Sequence, residues 1–167
     1  QHAGILLNWK GGSIHDGLYE PSKSKGPIKR WQVTREASAV TGAFMAMRKR
    51  TFMQVGGFDE LYLPVGQSDV DLCLKVRQCG LKVLWTPRIV LYHYESKSRG
   101  MDYLDPERAA RSRAECAVMK ARWGKVLNTE LTANPIWVSG ELPFRLMAFP
   151  SAEKILSYIN QQINTCS

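Results

Sequence analysis

Asp69 and Asp71 stand two residues apart at the opening of an apolar run, and their spacing gives them different work. Ser68 precedes Val70, Leu72, Cys73, Leu74 and Val76, and the run closes at Gly80, which predicts a helix of about three turns. Ser68 and Asp71 have capping-box spacing, so each side chain is expected to satisfy an amide of the first turn, and Asp71 reads as structural. Asp69 lies one residue inside the helix start, where the macrodipole favours a carboxylate and no cap needs it. A carboxylate held that way suits a general base that takes a proton from a hydroxyl. Further along, His93 ends another apolar run and is followed by Lys97 and Arg99. On its own such an imidazole is either a metal ligand or a strand-end histidine bonded to a backbone carbonyl.

Several elements must position these groups. His2 to Asn8 reads as a buried strand, and Ser38 to Met47 as a second, with Gly42 marking a close approach to the backbone. Lys49 to Val55 is a short helix stopped by Gly56-Gly57, since glycine tolerates the left-handed conformation that closes a helix. A loop with Pro64 and Gly66 leads to the helix of Asp69. Leu81 to Trp85 and Ile89 to Tyr94 read as strands separated by Pro87. Asp105 is expected to cap, and Pro106 to open, a long helix through Trp123 closed by Gly124. Ala110, Ala114, Ala117 and Ala121 would give that helix a narrow packing face. After an irregular stretch from 128 to 149, Ser151 caps a last amphipathic helix carrying Ile155, Leu156, Ile159 and Ile163. The pattern is α/β with few strands, so the sheet looks incomplete.

Composition narrows the class. The chain has 167 residues, 44% of them hydrophobic and 23% charged, enough for one domain with a real core. Its longest apolar runs are too short to cross a bilayer and no signal-peptide pattern opens it, so a soluble, cytoplasmic chain is expected. Cys73, Cys79, Cys116 and Cys166 lack metal-ligand spacing and read as reduced thiols. The net charge of +8 is concentrated in residues 1–50, chiefly in a loop-like segment from Tyr19 to Arg30. That segment is either a contact for an anionic partner (a nucleotide diphosphate, a lipid phosphate or a membrane surface) or a solvated loop. A nucleic-acid-binding domain is disfavoured, because acidic residues interleave with the basic ones after residue 50 and no binding motif appears. Trp31 and Trp85 could stack on sugar rings, although Trp85 beside Val83 and Leu84 reads as core. Nothing in the spacing of His15 and Asp16 argues for catalysis.

Taken in order, Thr41-Gly42-Ala43-Phe44-Met45, Val55-Gly56-Gly57-Phe58-Asp59-Glu60, Ser68-Asp69-Val70-Asp71, Tyr92-His93-Tyr94-Glu95-Ser96, Asp105-Pro106-Glu107-Arg108 and Arg122-Trp123-Gly124 resemble the acceptor half of a family 2 glycosyltransferase. The resemblance covers residues 1–135; residues 136–167 would be an extension. It implies a partial GT-A, Rossmann-like fold, a short mixed sheet flanked by helices, with the N-terminal nucleotide-binding half and its DxD motif missing. Asp69-Val70-Asp71 is not that DxD, which follows a strand in the nucleotide half, whereas these residues open a helix. By resemblance Asp69 is the general base of an inverting transfer, and Ser68 stands where the family has a glutamate. Thr41, Gly42 and Ala43 would line the substrate, and His93 would complete the shell of a divalent metal, Mn2+ or Mg2+. Lys97 and Arg99 would clamp the departing diphosphate or else be solvated. The implied partners are a nucleotide-sugar donor and a glycan or lipid-linked acceptor in surface polysaccharide synthesis, with possible self-association, no nucleic acid and at most peripheral membrane contact. A non-catalytic glycan-binding or assembly module of the same fold is the alternative.

Overall fold

The computed structural model describes residues 2–9, 12–93, 105–130, 132–138 and 142–164. β1 (Ile5–Trp9) pairs antiparallel with β2 (Gly12–His15); it starts three residues later than the expected His2 to Asn8 and ends one later, with Gly4 in a left-handed turn (φ 108) just before it. Ile5 and Leu7 enter one core cluster, and Leu6 and Trp9 enter a second. Alternation from Ile5 to Leu7 divides the core in two, and the register irregularity between Leu6 and Trp9, where Asn8 takes φ 52, turns Trp9 to the side of Leu6. The Ile5 amide donates to the Ala39 carbonyl and the Leu7 amide to the Glu130 carboxylate at 2.6 Å, so these edge groups are satisfied from within the chain.

The region expected to be a second long strand, Ser38 to Met47, is irregular. It touches β1 through a single bridge, Ile5 to Ala39, and its outward residues Gly42, Ala43 and Phe44 are exposed. Without a neighbouring strand to take their amides, these residues are held by side chains instead. β3 (Arg35–Glu36) pairs antiparallel with β4 (Leu84–Trp85), so the Leu81 to Trp85 strand shrinks to two residues. Residues 89–93 carry no strand and are exposed, since no neighbour pairs with them; Tyr94 lies outside the described residues. β5 (Trp137–Val138) and β6 (Leu146–Met147) form a third two-stranded ribbon. Among the described residues the sheet is therefore three small antiparallel ribbons rather than one mixed sheet.

The helices carry the main core. α1 (Lys49–Gln54) ends at Val55, and Gly56 and Gly57 take positive φ of 82° and 62°, as a glycine stop requires. α2 (Ser68–Gln78) buries Val70, Asp71, Leu72, Cys73, Leu74 and Val76, each apolar member worth roughly 2 kcal/mol against water. α3 (Pro106–Leu127) starts as expected, with Asp105 accepting the Arg108 amide at 3.0 Å, but runs past Gly124 for three residues. Its buried stripe is Glu115, Met119 and Trp123, spaced four apart, while Ala110, Ala114, Ala117 and Ala121 face solvent. Large side chains at i, i+4 and i+8 own the packing face, so small residues were left for the outside. α4 (Ala152–Asn164) is capped by Ser151, whose hydroxyl accepts the Lys154 amide at 3.3 Å, and its apolar residues Leu156 and Ile163 are more than half exposed. No described helix is long and apolar enough to cross a membrane. Cys73, Cys79 and Cys116 are free thiols; Cys166 lies outside the described residues. Burial pushes the Cys73 thiol up to about 11, which leaves it inert in the core.

Candidate functional site

The site is a shelf made by residues 41–44 against the first turn of α2. Asp69, half-buried, accepts the Gly42 amide at 2.8 Å through Oδ2, while Oδ1 accepts the Val70 amide at 2.8 Å. A Cβ on Gly42 would meet the Asp69 Cβ at 3.4 Å and Oδ2 at 3.8 Å, so the backbone here lies in van der Waals contact with the Asp69 side chain. Thr41 and Gly42 are thus brought to Asp69, and Ala43 follows with its amide turned back to the Thr41 hydroxyl at 3.3 Å. Two bonds fix the direction of the carboxylate, yet an ionised carboxylate has about four acceptor positions, which leaves room for an incoming hydroxyl.

The capping box does not form. Gln67 is the N-cap, in a left-handed conformation (φ 60) with no side-chain cap, and Ser68 is already helical. Asp71 is instead fully buried and gathers three donors: Trp123 Nε1 and Arg122 at 2.8 Å on Oδ1, and Lys75 at 2.8 Å on Oδ2. Burial alone would raise its carboxyl, but the bonds from Lys75, Trp123 and Arg122 outweigh it and hold the group below the usual carboxylate range. Asp71 is structural, as its position suggested, for a tertiary reason that local spacing cannot reveal.

The same network explains the Gly-Gly-Phe-Asp-Glu turn. Arg122 spans from Asp71 to Asp59 at 2.7 Å, and Lys75 also donates to the Gly57 carbonyl at 3.1 Å. Asp59 closes its own turn by accepting the Tyr62 amide at 2.9 Å. On the next stretch of loop, the buried Glu115 accepts the amides of Val65 at 3.2 Å and Gly66 at 2.7 Å. α3 therefore grips the loop that delivers Asp69 at both ends. Only Arg122-Trp123 was signalled in the sequence; Glu115 was not, although a lone glutamate on an otherwise apolar i, i+4 stripe is a readable sign.

His2 supports the other side of the shelf. Its Nε2 accepts the amides of Thr41 and Gly4, each at 3.3 Å, and its ring meets His15 edge-on at 4.7 Å. Burial, with His15 and Arg35 nearby, lowers its pKa to about 3. The folded state holds the neutral ring and the unfolded state binds a proton below about 6.5. Stability should therefore be full above pH 6.5 and fall between pH 6.5 and 3, by at most about 1.4 kcal/mol per pH unit. His2→Gln, which keeps an acceptor without a titrating ring, should flatten urea midpoints over that window; an unchanged slope would remove His2 as the cause.

The basic N-terminal loop is partly spent internally. Asp16, fully buried, accepts Trp31 Nε1 at 2.8 Å and Arg30 Nε at 3.1 Å and pairs with Arg35. Burial pushes the Asp16 carboxyl up, opposed by the two arginines, and lowers Arg35 to about 10. Lys23, Lys25 and Lys29 stay exposed. Trp31 is a buried anchor and Trp85 is half-buried beneath the Arg35 guanidinium, 5.5 Å from its ring. His93 sits on an exposed irregular segment, and no group of three His, Cys, Asp or Glu among the described residues could hold a metal ion. Lys97 and Arg99 lie outside the described residues.

Residues 25–97, which include the shelf, the Gly-Gly-Phe-Asp-Glu turn and His93, match the family described as the N-terminal domain of galactosyltransferase. An uncharacterized protein of Sinorhizobium fredii is 43% identical over 123 residues, 74% of this chain and 13% of that relative. An O-antigen biosynthesis protein of Myxococcus xanthus is 37% identical over 106 residues, 61% of this chain and 8% of that relative. The chain spans only about an eighth or less of the curated relatives it matches. No solved structure matches it.

Proposed function

We propose that these residues form the acceptor side of an inverting family 2 glycosyltransferase of GT-A type that builds bacterial surface polysaccharide at the cytoplasmic face of the membrane. The observation that carries this is the bond from the Gly42 amide to Asp69, which joins a small-residue shelf to a half-buried carboxylate inside the region matched to a galactosyltransferase domain. In this reading Asp69 takes the proton of an acceptor hydroxyl resting on Thr41 to Ala43. The oxygen attacks the anomeric carbon of a nucleotide sugar from the face opposite the diphosphate, which inverts that centre. The open backbone at Gly42 and Ala43 admits the acceptor, and by the family resemblance Lys97 and Arg99 are the cations that would offset the charge developing on the departing diphosphate. The donor is bound by a nucleotide half supplied from outside these 167 residues. The deciding experiment is transfer from nucleotide sugars by the complete enzyme with and without Asp69→Asn.

His93 is one imidazole and cannot by itself form the shell of a divalent ion. Manganese should bind the 167-residue chain only weakly by calorimetry. In the complete enzyme, His93→Ala should raise the manganese needed for half-maximal activity about 10-fold or more, the scale of a perturbed metal shell. An unchanged requirement in a normally folded variant would leave His93 a structural residue.

A further inference from the structure

We propose that a second site, away from the Asp69 shelf, binds one pyranose ring of a glycan; the choice of a glycan rests on the proposed function. The loop from Glu20 to Trp31 and the β5–β6 ribbon line an open cleft of about 410 Å3, within the range of small-molecule sites, roughly 300–1,000 Å3. Trp31, Trp137 and Phe144 form its aromatic walls, and Glu20, Arg145 and Lys25 its polar rim. Trp137 and Phe144 meet edge to face, 5.3 Å between centres and 83° between planes, so the rings present walls at right angles.

These walls are fixed before any ligand arrives. The buried Asp16 holds the Trp31 indole, and Arg30, held by the same carboxylate, lies over the Phe144 ring at 4.4 Å. Gly26 takes φ 69 against the Trp31 ring, where a Cβ would collide with the indole. Phe144 itself has a left-handed backbone, φ 62, unusual for an aromatic residue and kept by these contacts. The rim completes the match, since Arg145 pairs with Glu20 and the pair offers a planar set of donors and acceptors. A pyranose has an apolar C–H face for an aromatic wall and a hydroxyl edge for such a pair. A simple anion would use only the cations, and one of the two is already neutralised by Glu20.

The test follows the indole N–H signals of the 15N-labelled full chain during titration with methyl pyranosides of galactose, glucose, mannose and rhamnose. At least one should shift the Trp137 and Trp31 signals with half-saturation in the millimolar range, as the efficiency of small ligands implies for one ring. The Trp123 signal, whose donor is held by Asp71, should stay in place. Trp137→Ala should weaken binding about 10-fold or more with the Trp123 signal unmoved. If that variant does not fold, Arg145→Gln, on an exposed side chain, should weaken it measurably. Silence with all four sugars, equal shifts with inorganic phosphate, or unaltered binding in the folded variants would overturn the site. Because no donor is present, a silent pocket in an active transferase sinks this site alone, and a binding pocket in an enzyme without transfer sinks only the catalytic reading.

Discussion

Asp69→Asn in the complete enzyme should lower kcat between about 100- and 10,000-fold while leaving the urea midpoint nearly unchanged. The asparagine keeps one oxygen for the Gly42 amide, so the bond at 2.8 Å that shapes the shelf survives; the bond from the Val70 amide to the other oxygen and the ability to accept a proton are lost. KM for the acceptor should move little, since the shelf backbone is intact. A kcat within about 3-fold of the parent would remove Asp69 as the base, because a general base contributes at least about 100-fold. Gly42→Ala provides a second view of the same geometry. Its Cβ would stand 3.4 Å from the Asp69 Cβ and 3.8 Å from Oδ2, ordinary van der Waals contact, so the carboxylate should keep its place and a fall in acceptor kcat/KM would report crowding of the shelf itself.

Much of this site was legible because its signals are local. A glycine pair that must take positive φ, an aspartate ahead of proline, and a serine ahead of an amphipathic run each act within one turn of backbone, and all three appear where the sequence puts them. The likeness of residues 25–97 to a galactosyltransferase domain agrees with the resemblance read from the ordered motifs at the level of a glycosyltransferase. What the sequence hid is long-range. Ser38 to Met47 has strand composition, but beyond the one bridge to β1 no described strand pairs with it, so the amides of Thr41 and Gly42 go to His2 and Asp69. Ser68 and Asp71 have the spacing of a cap, yet the pull of Trp123, Arg122 and Lys75 turns Asp71 inward. Asp16 looked idle in a glycine-rich loop because its partners stand 14 to 19 residues away. Local rules describe an element's ends, whereas buried charge answers to whatever packs across from it.

Asp71→Asn should be the most destabilising of these single changes, by about 3 kcal/mol or more in urea unfolding, because breaking a buried pair leaves its partners uncompensated. Asp71 is fully buried and holds an indole N–H, a guanidinium and an ammonium; the amide offers one acceptor and brings donors of its own. A mere helix cap would cost about 1 kcal/mol, so the size of the loss discriminates between the two roles. Asp59→Asn is the internal control. It meets the same Arg122 fork on its more exposed side, where an ion pair is worth about 1 kcal/mol or less. The acid limb gives an independent reading. Because the folded Asp71 carboxyl sits below its unfolded value of about 3.9, its stabilisation is present above that pH and is lost as pH falls through the folded value. His2 acts earlier, from pH 6.5 downward, so the two contributions separate. Asp71→Asn should remove the loss below about pH 4 and leave the His2 slope intact. A variant as stable as the parent, with its acid limb unchanged, would mean that the Asp71, Arg122 and Lys75 network does not hold α2 against α3.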